Sequence, residues 1–204
     1  YYSLDKAEYA KQKEQKKQQT IAKAANLIAS AILDERNLDF SSSLKKRIQA
    51  FGVLTPYLSE EISFNPAQTN GLKNVFDLTS LIQQQLQSIT VVSPYKIAQL
   101  KPYQQSYAPC VYTLQVKGKN PLQNFPMLFS SEEDKIKITE SSVSNYAGEI
   151  QLKVTAVEPL NQMVGFTLQP DINQLMGSDS VGKAAISVLK QFIQTSSLKV
   201  QAQA

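Results

Sequence analysis

Histidine is absent from the 204 residues, tryptophan is absent too, and cysteine occurs once. Without histidine the chain lacks the commonest general base, the commonest metal ligand and the one side chain whose unperturbed titration falls near neutrality. A single cysteine excludes an internal disulfide and every multi-cysteine metal centre. Only seven glycines occur and none cluster, which leaves no loop able to cradle phosphates. No run reaches the eighteen or so apolar residues that a membrane helix needs, and no signal peptide stands at the front. These absences argue against most hydrolases and against classical zinc chemistry. The expectation is a non-enzymatic chain with no catalytic residue, no metal and no cofactor.

What is present is an ordinary globular balance, 42% hydrophobic and 19% charged, rich in uncharged amides. The net charge of +4 is unevenly placed. Residues 1–50 carry ten Lys or Arg against six Asp or Glu, and the remaining 154 residues carry eleven of each. The whole excess thus belongs to the N-terminal segment, through Lys6, Lys11, Lys13, Lys16, Lys17 and Lys23, then Lys45, Lys46 and Arg47. A neutral body with a basic arm differs from a uniformly basic nucleic-acid-binding domain.

That arm reads as a helix over 3–33, with Ser3 as N-cap and Asp5 near the positive end of the helix dipole. Its first turns are polar and dominated by good helix formers. Ile21, Ala24, Ala25, Ile28, Ala31 and Ile32 then form a stripe at helical period. Asp34 to Asp39 reads as a break, after which Ser41, Ser42 or Ser43 caps a second helix carrying Leu44, Ile48 and Phe51. An apolar edge on half of a long helix needs a partner, so Ile21, Ile28 and Ile32 are the candidate partner-binding residues. A linker is expected over 56–71.

From Gly71 the periods alternate. Leu72 to Ile89 repeats at three and four residues and predicts a helix; Val91 to Gln99 predicts a strand, and 101–109, with prolines within it, a loop. Cys110 to Lys117, Ile136 to Ile138 and Ile150 to Ala156 alternate at period two and predict strands. Leu122, Phe125, Leu128 and Phe129 predict a short helix, with Pro126 shortening or kinking it. The order is α-β-β-α-β-β, a two-layer α+β sandwich over 72–159. A C-terminal β-α-β extension over 160–204 follows, built from Met163 to Leu168, Val181 to Phe192 and the alternating tail Leu198, Val200, Ala202.

Three local features of this region resemble the periplasmic core of the PilO family, the inner-membrane alignment proteins of type IV pili, and the related M component of type II secretion. A strand closes as Leu100-Lys101-Pro102. Another closes as Leu114-Gln115-Val116-Lys117-Gly118 and leads into Leu122, Phe125 and Phe129. A final alternating strand runs Glu149 to Ala156. The resemblance covers 72–157 and implies a ferredoxin-like domain, a coiled coil at the position of the 1–55 arm, and dimerisation. It implies a scaffold of an envelope-spanning pilus or secretion machine, on the periplasmic side of the inner membrane, acting by self-association as a homodimer and by docking other assembly proteins. The chain opens on Tyr and not Met, so a membrane anchor or signal peptide is expected upstream of Tyr1. Two other readings stay open: a soluble binding protein whose basic helix touches nucleic acid, and a carrier of an apolar ligand.

Serine and lysine stand at S-x-x-K spacing at Ser42/Lys45, Ser43/Lys46 and Ser187/Lys190, which puts the two side chains on one helical turn. The companion motifs of penicillin-recognising enzymes are missing, so chance is the better explanation. Cys110 has no histidine to activate it and reads as structural. Glu60-Glu61 and Glu132-Glu133-Asp134 read as solvated acidic turns, with no EF-hand spacing around them.

Overall fold

A computed structural model describes residues 2–92, 98–100, 102–103, 106–107, 110–131, 136–156, 163–177, 183–193 and 196–202. The chain is mixed helix and sheet, an α+β protein with a long N-terminal helix. It divides into two compact units, one of residues 1–84 with 172–191 and one of residues 85–171 with 192–204. The expected arm over 1–55 and extension over 160–204 partition the chain differently, since the helices near 172–190 belong with the N-terminal helices.

The first unit is helical. α1 runs Tyr2–Arg36 and α2 runs Phe40–Leu54, followed by a short 3-10 turn at Thr55–Tyr57. α1 starts one residue before Ser3, so that serine lies inside the first turn and is not the cap. The break falls where the acidic and amide residues predict it, at 37–39. There Leu38 takes a left-handed backbone (φ 63) and Asp39, not a serine, caps α2 by accepting the Ser42 N–H at 3.1 Å. α3 runs Val75–Gln87 across the division between the units and buries Leu78, Ile82 and Leu86. α4 (Ile172–Met176) and α5 (Lys183–Lys190) pack on α2 and on each other.

The second unit holds all the strands found among the described residues. β1 (Thr90–Val92), β5 (Cys110–Lys117), β7 (Ile136–Ile138) and β9 (Glu149–Ala156) form one sheet in the order β1-β5-β9-β7, antiparallel throughout. β2 (Ala98–Leu100), β6 (Pro126–Ser131), β8 (Ser141–Val143), β10 (Met163–Pro170) and β11 (Ser196–Ala202) form a second, in the order β2-β11-β10-β6-β8. Among the described residues its parallel pair is β11 with β2. Between β2 and β5, β3 (Pro102–Tyr103) and β4 (Ser106–Tyr107) pair antiparallel.

Period two governs burial in the first sheet. Leu114, Val116, Ile150, Leu152 and Val154 are buried, and register pairs Leu114 with Ile150. Val111 and the polar residues between them face out. The strands expected at 110–117, 136–138 and 150–156 therefore share one sheet and one core face, although the Tyr112 side chain lies outside the described residues. The single strand expected over 91–99 does not form, since 90–92 joins this sheet and 98–100 the other. The expected helix at 122–129 does not form. Asn124 turns the chain with φ 52, Pro126 opens β6, and Phe125, Met127 and Phe129 are all buried. An apolar cluster at 122, 125, 128 and 129 satisfies a helical count as well as a strand. Pairing of Leu168 with Phe129 in the antiparallel β6–β10 ladder decides it for the strand. Proline is tolerated there because it stands at the first residue of the strand. The α-β-β-α-β-β unit is accordingly not what forms: strand β6 of a second sheet stands where its second helix was expected.

Candidate functional site

The helical unit is built on an antiparallel pair, α1 and α2. Ala24, Ala25, Ile28 and Ala31 on α1 and Leu44, Ile48 and Phe51 on α2 are buried. Three of those four α1 residues are alanines, which lets the helix axes approach closely. Two ion pairs fix the register near the elbow. Lys46 Nζ lies 2.7 Å from Asp34 Oδ2 and also donates to Ser30 Oγ at 2.8 Å. Arg47 Nη1 bonds Glu35 Oε1 and donates to Ser43 Oγ at 2.7 Å, while Ser43 Oγ donates to Glu35 Oε1 at 2.8 Å. The Arg47 side chain is only 5% exposed, so this pair is desolvated on the arginine side.

Past the end of α2 the chain returns along α1 with polar contacts. Gln68 Nε2 donates to Asn26 Oδ1 at 2.9 Å, and Lys17 Nζ lies 3.6 Å from Glu60 Oε1. Towards the N-terminus the cover ends. Positions 5 to 16 are exposed without exception, Tyr9 by 69%. The opposite flank of α1 lines two open surface grooves. One, of about 570 Å³, runs past Lys11, Glu14, Gln15, Gln18 and Gln19. The other, of about 470 Å³, continues from Gln19 past Lys23, Asn26 and Ser30.

The expected partner-binding residues fare differently. Ile28 is wholly buried in its own unit and offers no surface, because α2 and its neighbours cover the apolar stripe. Ile21 and Ile32 are half-buried. Before Ile21 the exposed surface of α1 is polar apart from Tyr9, whereas beyond it Leu33 stands 55% exposed. The sequence signal for the polar stretch is the absence of any apolar stripe before Ile21.

None of the S-x-x-K pairs comes together. Ser43 serves Glu35 and Arg47, Lys46 bonds Ser30 and Asp34, and Ser187 Oγ donates to the Ala184 carbonyl. Glu60 holds a lysine, Glu132 to Asp134 lie outside the described residues, and so does the Cys110 side chain. Among the described residues no three His, Cys, Asp or Glu side chains gather as a metal site, and no helix is long and apolar enough to cross a membrane.

No family model and no curated protein matches the chain. Two solved structures are similar. The D00–D0 domain of intimin matches at 15% identity and TM-score 0.32, over 41% of this chain and 40% of that one. WR4, a C. elegans member of the MSP family, matches at 10% identity and TM-score 0.35, over 57% of this chain and 97% of that one. Likenesses at these scores place the chain in no family.

Proposed function

We propose that this chain is a non-enzymatic scaffold module that docks onto other protein chains, a second copy of itself among them. One observation carries the reading: twelve consecutive exposed positions, 5–16, on a helix whose other half is packed. A helix that short is marginal alone in water. Here it propagates from the packed half through Ala, Lys, Gln and Glu, and it presents about 18 Å of ordered rod at 1.5 Å per residue. Ordered surface that the fold itself leaves uncovered is what a docking element requires. The lack of histidine supports a role without chemistry.

A place in an envelope-spanning pilus or secretion assembly is what the resemblance over 72–157 implies. The stretch from Leu122 to Phe129, one of its features, follows a turn and a strand and not a helix. The proposal is therefore the general role of assembly by docking. Self-association is assigned to the glutamine flank of α1, because a side-chain amide both donates and accepts and so complements its own copy across a two-fold axis. Sedimentation equilibrium of the full chain from about 1 to about 200 µM brackets micromolar association. The expected result is a dimer that Gln15→Glu with Gln19→Glu dissociates. A strict monomer throughout that range overturns self-association.

A further inference from the structure

The docking reading leaves the partner's chemistry open, and the charge pattern on α1 narrows it. At 3.6 residues per turn, Lys6, Tyr9, Lys13, Lys16 and Lys17 fall within a sector of about 100°. Asp5, Glu8 and Glu14 all fall outside it. The sector is continuous with the side of α1 that buries Ala24, Ile28 and Ala31. One line of the helix therefore changes from apolar to basic where α2 ends.

Two further observations bear on what fits there. Neither Lys13 nor Lys16 has an acidic residue three or four positions away, and the pairs Lys13/Lys16 and Lys13/Lys17 repel along the helix. No ion pair reaches Lys13 or Lys16 among the described residues. At the upper end of the row the chain itself supplies the answer. Glu60 seats on Lys17, whose side chain is reduced to 14% exposure.

We infer that the row Lys6, Lys13 and Lys16 is the docking site for an acidic segment of a partner protein, a helix antiparallel to α1 with Asp or Glu at i, i+3 and i+10, opposite Lys16, Lys13 and Lys6. This inference rests on the docking reading. Such a helix continues the seat of α2 along α1, meets each lysine with a carboxylate and removes the like-charge repulsion. A nucleic acid fits less well, because the row has no arginine and spans only about 15 Å, with Tyr9 as its one aromatic. A membrane surface fits less well still, since residues 5–16 have no apolar face to bury.

The probe is a fluorescein-labelled helical peptide of about 21 residues with Glu at i, i+3 and i+10 and Ala elsewhere, titrated with the full chain and read by anisotropy. Saturable binding is expected at about 20 mM salt and is weaker at about 150 mM. Lys13→Glu with Lys16→Glu should weaken it about tenfold or more, while Lys13→Arg with Lys16→Arg should keep it within about twofold. Lys11→Glu with Lys23→Glu changes the net charge equally on the other flank and should leave binding within about threefold. Circular dichroism checks that each variant stays helical. Absence of saturable binding, or equal loss in the Lys11/Lys23 control, overturns the inference. So does tighter binding to a duplex oligonucleotide or to phosphatidylserine vesicles that the Lys13/Lys16 change abolishes. Self-association is read separately by sedimentation, so failure of the probe with the dimer intact removes this inference alone.

Discussion

Removing Arg47 and removing Glu35 should not cost the same. Arg47→Met keeps most of the buried stem volume and deletes the charge. It leaves the Glu35 carboxylate with the Ser43 hydroxyl still donating at 2.8 Å and with 29% of its side chain in contact with solvent. Breaking a buried pair by deleting one partner costs about 3–5 kcal/mol, and the carboxylate's remaining donor and water reduce this to about 2–3 kcal/mol. Glu35→Leu leaves a guanidinium that is 5% exposed with the Ser43 oxygen as the acceptor it retains from this cluster, and its Nε has no partner among the described residues. That variant should stand at the upper end, about 4–5 kcal/mol. Combining the two changes removes both charges from a site beside an apolar seam. The double variant should recover to within about 1.5 kcal/mol of the parent.

Urea unfolding followed by the helical signal at 222 nm gives each difference, provided that the denaturant slope is unchanged. The order of the two single variants, and the non-additivity of the pair, are the readings that matter. If both single variants lie within about 0.5 kcal/mol of the parent, the cluster contributes little and the register of the hairpin is set by the apolar seam alone. If the double variant is the sum of its parts, the two groups do not interact in solution as they do here.

Ser144 is a buried staple: its Oγ accepts the Phe125 N–H at 2.8 Å and donates to the Leu122 carbonyl at 2.5 Å. Ser144→Ala orphans both groups and should cost about 2–4 kcal/mol in urea unfolding, with exposed Ser141→Ala as the silent control. Gly148 and Gly71 both hold positive φ, yet a Cβ at Gly148 meets the Val116 carbonyl oxygen at 2.8 Å while one at Gly71 meets nothing within 4 Å. Gly71→Ala should cost about 1 kcal/mol and Gly148→Ala at least about 2 kcal/mol more, and equal melting shifts would refute the steric argument. Leu152 is fully buried in the centre of the first sheet, so Leu152→Ala should cost about 2–5 kcal/mol, with a near-neutral result excluding it from the core.

Local pattern decided most of what was readable. The α1–α2 break, the stripe at 24–31 and the alternations at 110–117, 136–138 and 149–156 are short-range signals, and each element forms where the period places it. The errors share one cause, which is that partners distant in sequence decide ambiguous stretches. Phe125 to Phe129 reads at either period until Leu168 pairs beside it, some forty residues on. β8, three residues of Ser, Ser and Val, has no signal of its own and exists because β6 offers it an edge. The candidate site was legible in half. The lysines were visible as an excess of positive charge over residues 1–50, whereas the cover over Ile28 and the seat of Glu60 on Lys17 are tertiary facts.

The behaviour of α1 follows from a single geometric line. Positions 6, 13, 17, 24, 28 and 31 lie close to one side of the helix, and nothing in helix propensity distinguishes its two halves. What differs is the chemistry written along the line. Alanines and an isoleucine stand where α2 covers it, and lysines stand where α2 has ended. Apolar groups at 6, 13 and 16 would have made an exposed patch open to any apolar surface, with aggregation as its cost. Lysines there leave no such apolar patch, and on the docking proposed above they would favour an acidic partner and refuse a basic one. The covered and the uncovered halves of α1 are then two chemistries on one face, and Lys17 with Glu60 marks the boundary between them.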